Sequence, residues 1–388
     1  MKYDFETLIN REHTDCAKWD EFPGKLPMWV ADMDFPVAPC IIEAMKKRIE
    51  HPIFGYAYPG EDWYEAWINF IYRRHHYRIE KEWMFFATGV IPIISSTVRK
   101  LTSEGDNVLV LTPIYKTFFN SIVNNNRTPL ESKMIYQNNE YFIDWADLEE
   151  KLSLDKTTLM IFCNPHNPTG KIWDVETMKR IGELCYKYGV PVISDEIHSE
   201  LVKPGLECIP FSSVSEINQQ ISITCLSISK WFNMASLQAA LCYIPNPELK
   251  KKVERQLNTD ECAEPNAFAC PVTIAALNDG NEWLDEVNEV IEQNRKYLEK
   301  FIDKNIKNIS YVHGEATYLI WLDISKISRN SSSFCSFLAE KYDLVLSDGR
   351  DFKGDGNYFV RINIACPKSL LIEGLNRLKL GAENYHGE

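Results

Sequence analysis

Short runs of β-branched, aromatic and aliphatic residues recur along the first two thirds of the chain. Each leads through a turn into a further segment, most of them with apolar residues at helical spacing. MFFAT (84–88) passes through GVIP into an apolar-faced segment ending near Leu101, and NVLVL (107–111) passes through TP into YKTFFNSIV. TLMIFC (158–163) passes through NPHNPTG into a helix around 175–188. VPVIS (190–194) leads into DEIHSEL, SITCL leads into SISKWFNMASL, and AALCYI (239–244) precedes a helix starting near Pro247. Runs of four to six apolar residues without alternation are the pattern of strands buried on both faces. Strands alternating with helices over about 170 residues predict an α/β fold with a mostly parallel sheet covered by helices.

The last hundred residues follow another pattern. An amphipathic helix over about 282–304 carries Trp283, Val287, Val290 and Ile291 among charges. Short strands follow at YLIWLD (318–323) and YFVRINI (358–364), with one helix between them and one after, an α+β module. Residues 1–48 contain the extended stretch PMWVADMDFPVAP and a short helix, a segment expected to run along a larger body or to complete the C-terminal module. The expected division is a large domain over 49–285 and a smaller one built from 1–48 and 286–388.

Composition narrows the function classes. With 388 residues, 45% of them hydrophobic and 12% aromatic, the chain can build sizeable cores and is not a disordered polymer. Lys and Arg number 42 against 55 Asp and Glu, a net charge of 42 − 55 = −13, which argues against nucleic acid as a partner. A small basic pocket for one anionic ligand stays open. The eleven cysteines are odd in number, form no C-x-x-C, and sit in apolar runs such as LMIFC and ITCL. They read as small buried thiols in a reducing compartment. The first residues, MKYDFETLINREHTDC, lack an apolar core for a signal peptide, and no run approaches the length of a membrane span. The expectation is a cytoplasmic protein without membrane contact.

In an open parallel sheet, ligands bind beyond the carboxyl ends of the strands, beside helix N-termini. The residues just past five of the runs are Gly89, Tyr115, Asn167, Asp195 and Lys230. Each alone has an ordinary explanation: a turn glycine, a packing aromatic, an Asx turn, a helix cap, a solvated lysine. Together they describe one chemistry. A desolvated Lys next to two serines can attack an aldehyde as the neutral amine. The aldehyde that needs the companions is pyridoxal phosphate: a carboxylate for its pyridine nitrogen, an aromatic face for its ring, an amide for its phenolic oxygen. Free N–H groups at Gly89, Val90 and Ile91 suit the phosphate.

Several motifs in order then carry a family resemblance over nearly the whole chain: WVADMDFP (29–36), FGY (54–56), TGVIP (88–92), TPIYKTFF (112–119), CNPHNPTGKIW (163–173), SDEIHSEL (194–201), SISKWFNMASLQ (227–238) and VRINIACP (360–367). The sequence resembles fold-type I pyridoxal phosphate enzymes of the aminotransferase class I/II group, and within it the bacterial carbon–sulfur β-lyases of the MalY/PatB type, including cystalysin. The resemblance implies the type I fold, with a seven-stranded, mostly parallel sheet in the large domain. It implies that Lys230 binds the cofactor aldehyde and moves the Cα proton, that Asp195 pairs with the pyridine nitrogen, Asn167 with the phenolic oxygen, and Tyr115 with the ring face. Gly89, Val90, Ile91, Ser227 and Ser229 would surround the phosphate, and His198 would contact the cofactor. Tyr56 would reach the phosphate of a neighbouring subunit, implying a homodimer with active sites at the interface. Arg361 would grip the α-carboxylate of an amino-acid substrate, with Tyr115 and Asn167 beside it.

The resemblance also implies an activity, α,β-elimination from L-cystathionine or related L-cysteine thioethers. Class I aminotransferases usually carry an Arg eight residues after the Lys and tend to have Tyr three residues after the Asp. Gln238 and His198 stand there instead, as in the lyases. An aminotransferase is the alternative, and a regulatory protein that binds a transcriptional activator is a second. Trp231, Ser236 and Lys116 depart from the lyase pattern near the expected pocket, and they bear on the substrate side chain rather than the cofactor.

Overall fold

Seven strands form the central sheet of the computed structural model, which describes residues 1–387. In chain order they are β1 (Met84–Ala87), β2 (Asn107–Thr112), β3 (Thr128–Lys133), β4 (Thr157–Cys163), β5 (Val192–Asp195), β6 (Ser222–Leu226) and β7 (Ala240–Tyr243). Their order across the sheet is β1-β7-β6-β5-β4-β2-β3, and only β7 runs antiparallel to its neighbours. The apolar runs read from the sequence are these strands, and every residue of β1, β5, β6 and β7 is buried. Burial on both faces requires two layers of cover.

Helices α1 (Pro39–Glu50) and α2 (Glu61–His75) precede the sheet in the chain. On one face α3 (Val90–Leu101) and α4 (Lys116–Val123) set Val90, Ile93, Ile94 and Phe118 against Ile161, Ile193 and Ile223. The other face is divided. Near β2, β4 and β5 it receives Met178, Ile181 and Cys185 of α5 (Val175–Lys187). Near β1 and β7 it receives Trp63, Trp67 and Phe70 of α2 together with Trp231 of the short α6 (Ile228–Trp231). Trp231 stacks on Phe70 at 5.5 Å and meets Trp67 edge-on at 5.8 Å. Further along, α7 (Pro247–Thr259), α8 (Ala269–Asp279) and the 25-residue α9 (Asn281–Asn305) lead out of the sheet region.

A second, antiparallel sheet has the order β8-β9-β11-β10, with β8 (Ser310–Tyr311), β9 (Leu319–Asp323), β10 (Ser347–Asp348) and β11 (Phe359–Asn363). It is accompanied by α10 (Ser331–Lys341) and α11 (Lys368–Asn384). The N-terminal segment joins this part through Leu26–Pro27, which pairs in parallel with Leu344–Val345. Gly170 shows how closely the two parts approach. At φ +70° its carbonyl accepts from the Glu315 and Ala316 amides, and a Cβ there would lie 2.9 Å from the Ala316 carbonyl. Only glycine suits that position. No described helix is long and apolar enough to cross a membrane.

Candidate active site

The carboxyl ends of β2, β4, β5 and β6 open onto one cavity of about 210 Å³. Gly89, Val90 and Ile91 line it from the start of α3, and Tyr115 from the start of α4. Asn167, Asp195, His198, Ser227, Ser229 and Lys230 complete the wall. Ten of the residues expected at a common site therefore share this cavity. Gln238, whose identity separated the two readings of the sequence, lines it as well, in a left-handed conformation at φ 54°.

Each side chain reaches the cavity for a local reason. Asp195 is the last residue of β5, held in register between Cys163 on β4 and Cys225 on β6. Its Oδ1 accepts from the Ile197 amide at 3.1 Å, and burial pushes the carboxyl up to about 7. Lys230 lies in the single turn of α6, which Ser227 caps by accepting from the Ser229 amide at 3.1 Å. The Ser227 hydroxyl itself donates to the Ala239 carbonyl at 2.7 Å. Burial pushes Lys230 down to about 8, the nearby Asp32 and Asp195 opposing that shift and Arg361 adding to it. Burial, with Lys230 and Arg361 adding to it, pushes the His198 ring to about 3, so this imidazole is neutral, and its Nδ1 has no partner.

The start of α3 is a second polar feature of the cavity. The Gly89 carbonyl already accepts from Ile93, while the first-turn N–H groups have no acceptor within the helix. Those donors and the helix dipole favour an anion at that end.

Arg361, from the middle of β11, is 5% exposed and reaches the site without lining the cavity. It donates to Asn167 Oδ1 at 3.0 Å, to the Trp29 carbonyl at 3.0 Å and to Ser347 Oγ at 3.1 Å, leaving Nε without a partner. Burial lowers its pKa to about 10, so it remains a cation at neutral pH. Tyr56 lies elsewhere. It is fully exposed at 102% and borders a separate groove of about 880 Å³ between α1 and α8.

Three features were not assigned from sequence. The Ala31 carbonyl accepts from Lys230 Nζ at 2.7 Å and from the Tyr318 hydroxyl at 3.1 Å. The strap around it is pinned by Asn363, which donates to the Val30 and Asp32 carbonyls, and by Asn233, which accepts from the Met33 amide. The buried His166 ring meets the Pro113 carbonyl at 2.8 Å and so steadies the turn that presents Tyr115. The motif WVADMDFP contained Ala31, but a backbone acceptor has no side-chain signature to read.

Comparison with known proteins shows the family and the fold. The family model for aminotransferase class I and II matches residues 24–378. The chain belongs to the aminotransferase class I and II family. Cystathionine beta-lyase PatB of Bacillus subtilis is 37% identical over 97% of this chain and 98% of its own length. Protein MalY of Escherichia coli is 30% identical over 96% of this chain and 97% of its own. The crystal structure of cystalysin from Treponema denticola, which contains a pyridoxal 5'-phosphate cofactor, superposes with a TM-score of 0.96 at 30% identity, covering 99% of this chain and 100% of that one. The expected type I fold with its seven-stranded sheet is thus the fold of this family member.

Proposed function

We propose that this chain is a pyridoxal phosphate-dependent carbon–sulfur β-lyase that cleaves L-cystathionine or related L-cysteine thioethers to a thiol, pyruvate and ammonia. The observation that carries the reading is the pairing, in one cavity, of a lysine whose pKa is lowered with a buried carboxylate that has no cationic partner in contact. Asp195 has a single hydrogen bond, from a backbone amide, and needs a positively charged N–H to stay ionised where it is buried. A protonated pyridine nitrogen supplies one, which is the main ground on which the residues fit the cofactor. The start of α3 fits its phosphate, with Ser229 beside it and Ser227 shaping the turn through its cap. Tyr115 fits the ring face, Asn167 the phenolic oxygen through its amide, and His198 the ring edge through its unpartnered nitrogen.

The cofactor, when bound, supplies an electron sink for the negative charge left at the substrate Cα. The remaining steps belong to the chain. Lys230 would hold the cofactor aldehyde, and its amine, with a pKa lowered by burial, would take the Cα proton of the substrate. Asp195, as the anion, would hold the ring nitrogen. Arg361, oriented by Asn167, Trp29 and Ser347, binds the α-carboxylate and sets the Cα–H bond toward Lys230. The Cβ–S bond then breaks with its electron pair going to sulfur, and the thiolate takes up a proton. The remaining three-carbon fragment hydrolyses to pyruvate and ammonia. Gln238 in the cavity wall supports elimination over amino transfer, because it stands where transaminases of this family usually carry an Arg.

The proposal includes a homodimer. Tyr56 is exposed together with Ile53, Phe54 and Tyr58 in a segment without regular structure, an apolar surface of the kind that marks an interface. A second copy there would bring Tyr56 to the partner's phosphate end. The domain division stays at 49–285 against 1–48 with 286–388. Eleven free cysteines, seven of them buried, favour the cytoplasm.

The test mixes cofactor-loaded protein with L-cystathionine and no 2-oxo acid, and follows pyruvate and free thiol together. Equal yields of both over many turnovers are expected. Amino transfer that requires added 2-oxoglutarate, with no pyruvate, would make the protein an aminotransferase instead.

A further inference from the structure

Lys116 immediately follows the cavity residue Tyr115 and opens α4. Its Nζ pairs with Asp351 Oδ2 at 2.7 Å, and the two side chains are 55% and 49% exposed. The pair joins separate parts of the fold: Lys116 comes from the central-sheet region, and Asp351 from the turn Gly349–Phe352 that precedes β11. That turn is held against the start of α4. The Ile114 amide donates to the Phe352 carbonyl at 2.8 Å, and Gly354, at φ +57°, lies so near the Thr112–Pro113 backbone that a Cβ would sit 3.0 Å from the Pro113 nitrogen. The same turn reaches the substrate end of the site. The Arg361 guanidinium lies over the Phe352 ring at 4.8 Å, and the charge of Asp351, next to Phe352, opposes the lowering of the Arg361 pKa by burial. The pair therefore lies outside the cavity lining, next in sequence to Tyr115, placed over the ring, and to Phe352, on which Arg361 lies.

We infer that Lys116 and Asp351 form a leaving-group subsite that selects thioethers whose departing half carries an amino-acid-like charge pair. Lys116 takes the distal carboxylate and Asp351 the distal ammonium. A half-exposed ion pair is worth little to the fold, so exchanging it for contacts with a zwitterionic ligand costs almost nothing. An uncharged alkyl leaving group gains nothing from either residue, and a lone charge gains from one of them only. Other charges around this turn are Arg350, Lys353 and Asp348, with Glu131 and Lys133 across the groove they share with it, and Arg361. Arg361 is committed to the α-carboxylate, which leaves the pair to read the far end. This inference rests on the lyase reading and goes beyond it by naming what distinguishes one thioether from another.

The experiment compares L-cystathionine, S-(2-carboxyethyl)-L-cysteine, S-(2-aminoethyl)-L-cysteine and S-ethyl-L-cysteine on the holoenzyme, with pyruvate as the readout. The proteins are wild type, Lys116→Met and Asp351→Asn. Lys116→Met is expected to lower the kcat/KM ratio of the carboxyethyl to the ethyl substrate by roughly three- to tenfold, carried by KM. Asp351→Asn is expected to do the same to the aminoethyl-to-ethyl ratio, and both variants to lower the cystathionine-to-ethyl ratio. Ratios that stay at the wild-type value, or losses shared equally by all four substrates, would overturn the inference while leaving the lyase reading intact. Absence of pyruvate from every thioether with wild-type enzyme would overturn both.

Discussion

Asp195→Asn should stabilise the protein without its cofactor and weaken it toward that cofactor, and the two effects have different pH signatures. The Asp195 carboxyl is buried at the end of β5 and titrates near 7 rather than 3.8. Its folded pKa is raised, so the folded state keeps a proton that the unfolded chain releases. The native state therefore loses stability as pH rises from about 4 to about 7, and Asp195 adds no further loss above that. A shift of about three units corresponds to ~4 kcal/mol at full ionisation, and about 2 kcal/mol by the middle of the window near pH 5.5. Asparagine keeps the acceptor for the Ile197 amide and has nothing to ionise. Its removal of a nearby negative charge lowers Lys230 further, which returns part of the gain and leaves about 3 kcal/mol at pH 7.

The assay is the urea midpoint of cofactor-free wild type and variant at a series of pH values from 4 to 7.5. Glu196, also pushed up to about 7 by burial with the Asp195 charge adding to it, falls in the variant, so its change adds to the Asp195 difference in the same direction. The variant should match wild type near pH 4 and exceed it increasingly toward pH 7. Bound cofactor should reverse the order, because the ionised carboxylate then faces a cationic nitrogen. Removing one partner of such a buried pair costs about 3–5 kcal/mol, a fall of roughly two to nearly four orders of magnitude in cofactor affinity. A stability difference independent of pH, or a cofactor-free variant weaker than wild type at pH 7, would refute the reasoning.

Three further outcomes follow from particular contacts. Arg361→Lys keeps the charge but loses the fork shared among Asn167, Trp29 and Ser347, so KM for amino-acid substrates should rise about tenfold or more, measured by steady-state pyruvate release. Trp231→Leu should lower the urea midpoint by an amount equal to about 2–4 kcal/mol, because it removes the stack on Phe70 and the edge contact with Trp67. Glu200→Gln should destabilise by about 3 kcal/mol at pH 6, since the buried carboxylate bonds both Arg74 at 2.8 Å and His75 at 2.6 Å. The His75 pKa is raised despite burial, chiefly by Glu200, so that its share of this stability is present at low pH and lost as pH rises through the folded value. The penalty of Glu200→Gln should accordingly shrink toward pH 9.

The parts of this fold that were legible in the sequence are those whose burial is local and complete. β1, β2 and β4 to β7 announce themselves because every position, or nearly so, is apolar or small. β3 was not read, because TPLESK is an edge strand, only partly buried, where Pro129 and charged residues are tolerated and no apolar run forms. The hairpin of Ile135–Gln137 and Glu140–Phe142 was passed over although Asn138 and Asn139, both at positive φ, form a two-residue turn between its strands. DEIHSEL, after β5, forms no helix, unlike the segments after most of the other strands. Glu196, His198, Ser199 and Glu200 are all buried there, and their carboxylates bond Ser194, Phe211, Arg74 and His75 instead of facing solvent.

The site divides along the same line. Gly89, Tyr115, Asn167, Asp195 and Lys230 could be found because a parallel sheet gathers whatever follows its strands, so position in the chain stands in for position in space. Arg361 needed the motif resemblance, since a strand arginine can equally face solvent and its fork is organised by partners 14, 194 and 332 residues away. The Ala31 carbonyl lies 199 residues from the lysine it meets and carries no residue-type signal at all. Lys116 is the instructive case between them. Its identity was visible as a departure from the lyase pattern, but a lysine at a helix start has many uses. Its pairing with Asp351, 235 positions on, depends on a turn that Gly354 seats against Thr112 and Pro113. What sequence leaves unread here is therefore the second partner of a long-range contact. On the inference drawn from Lys116 and Asp351, substrate choice depends on such contacts, which is why the cofactor chemistry could be argued from residues while the identity of the thioether could not.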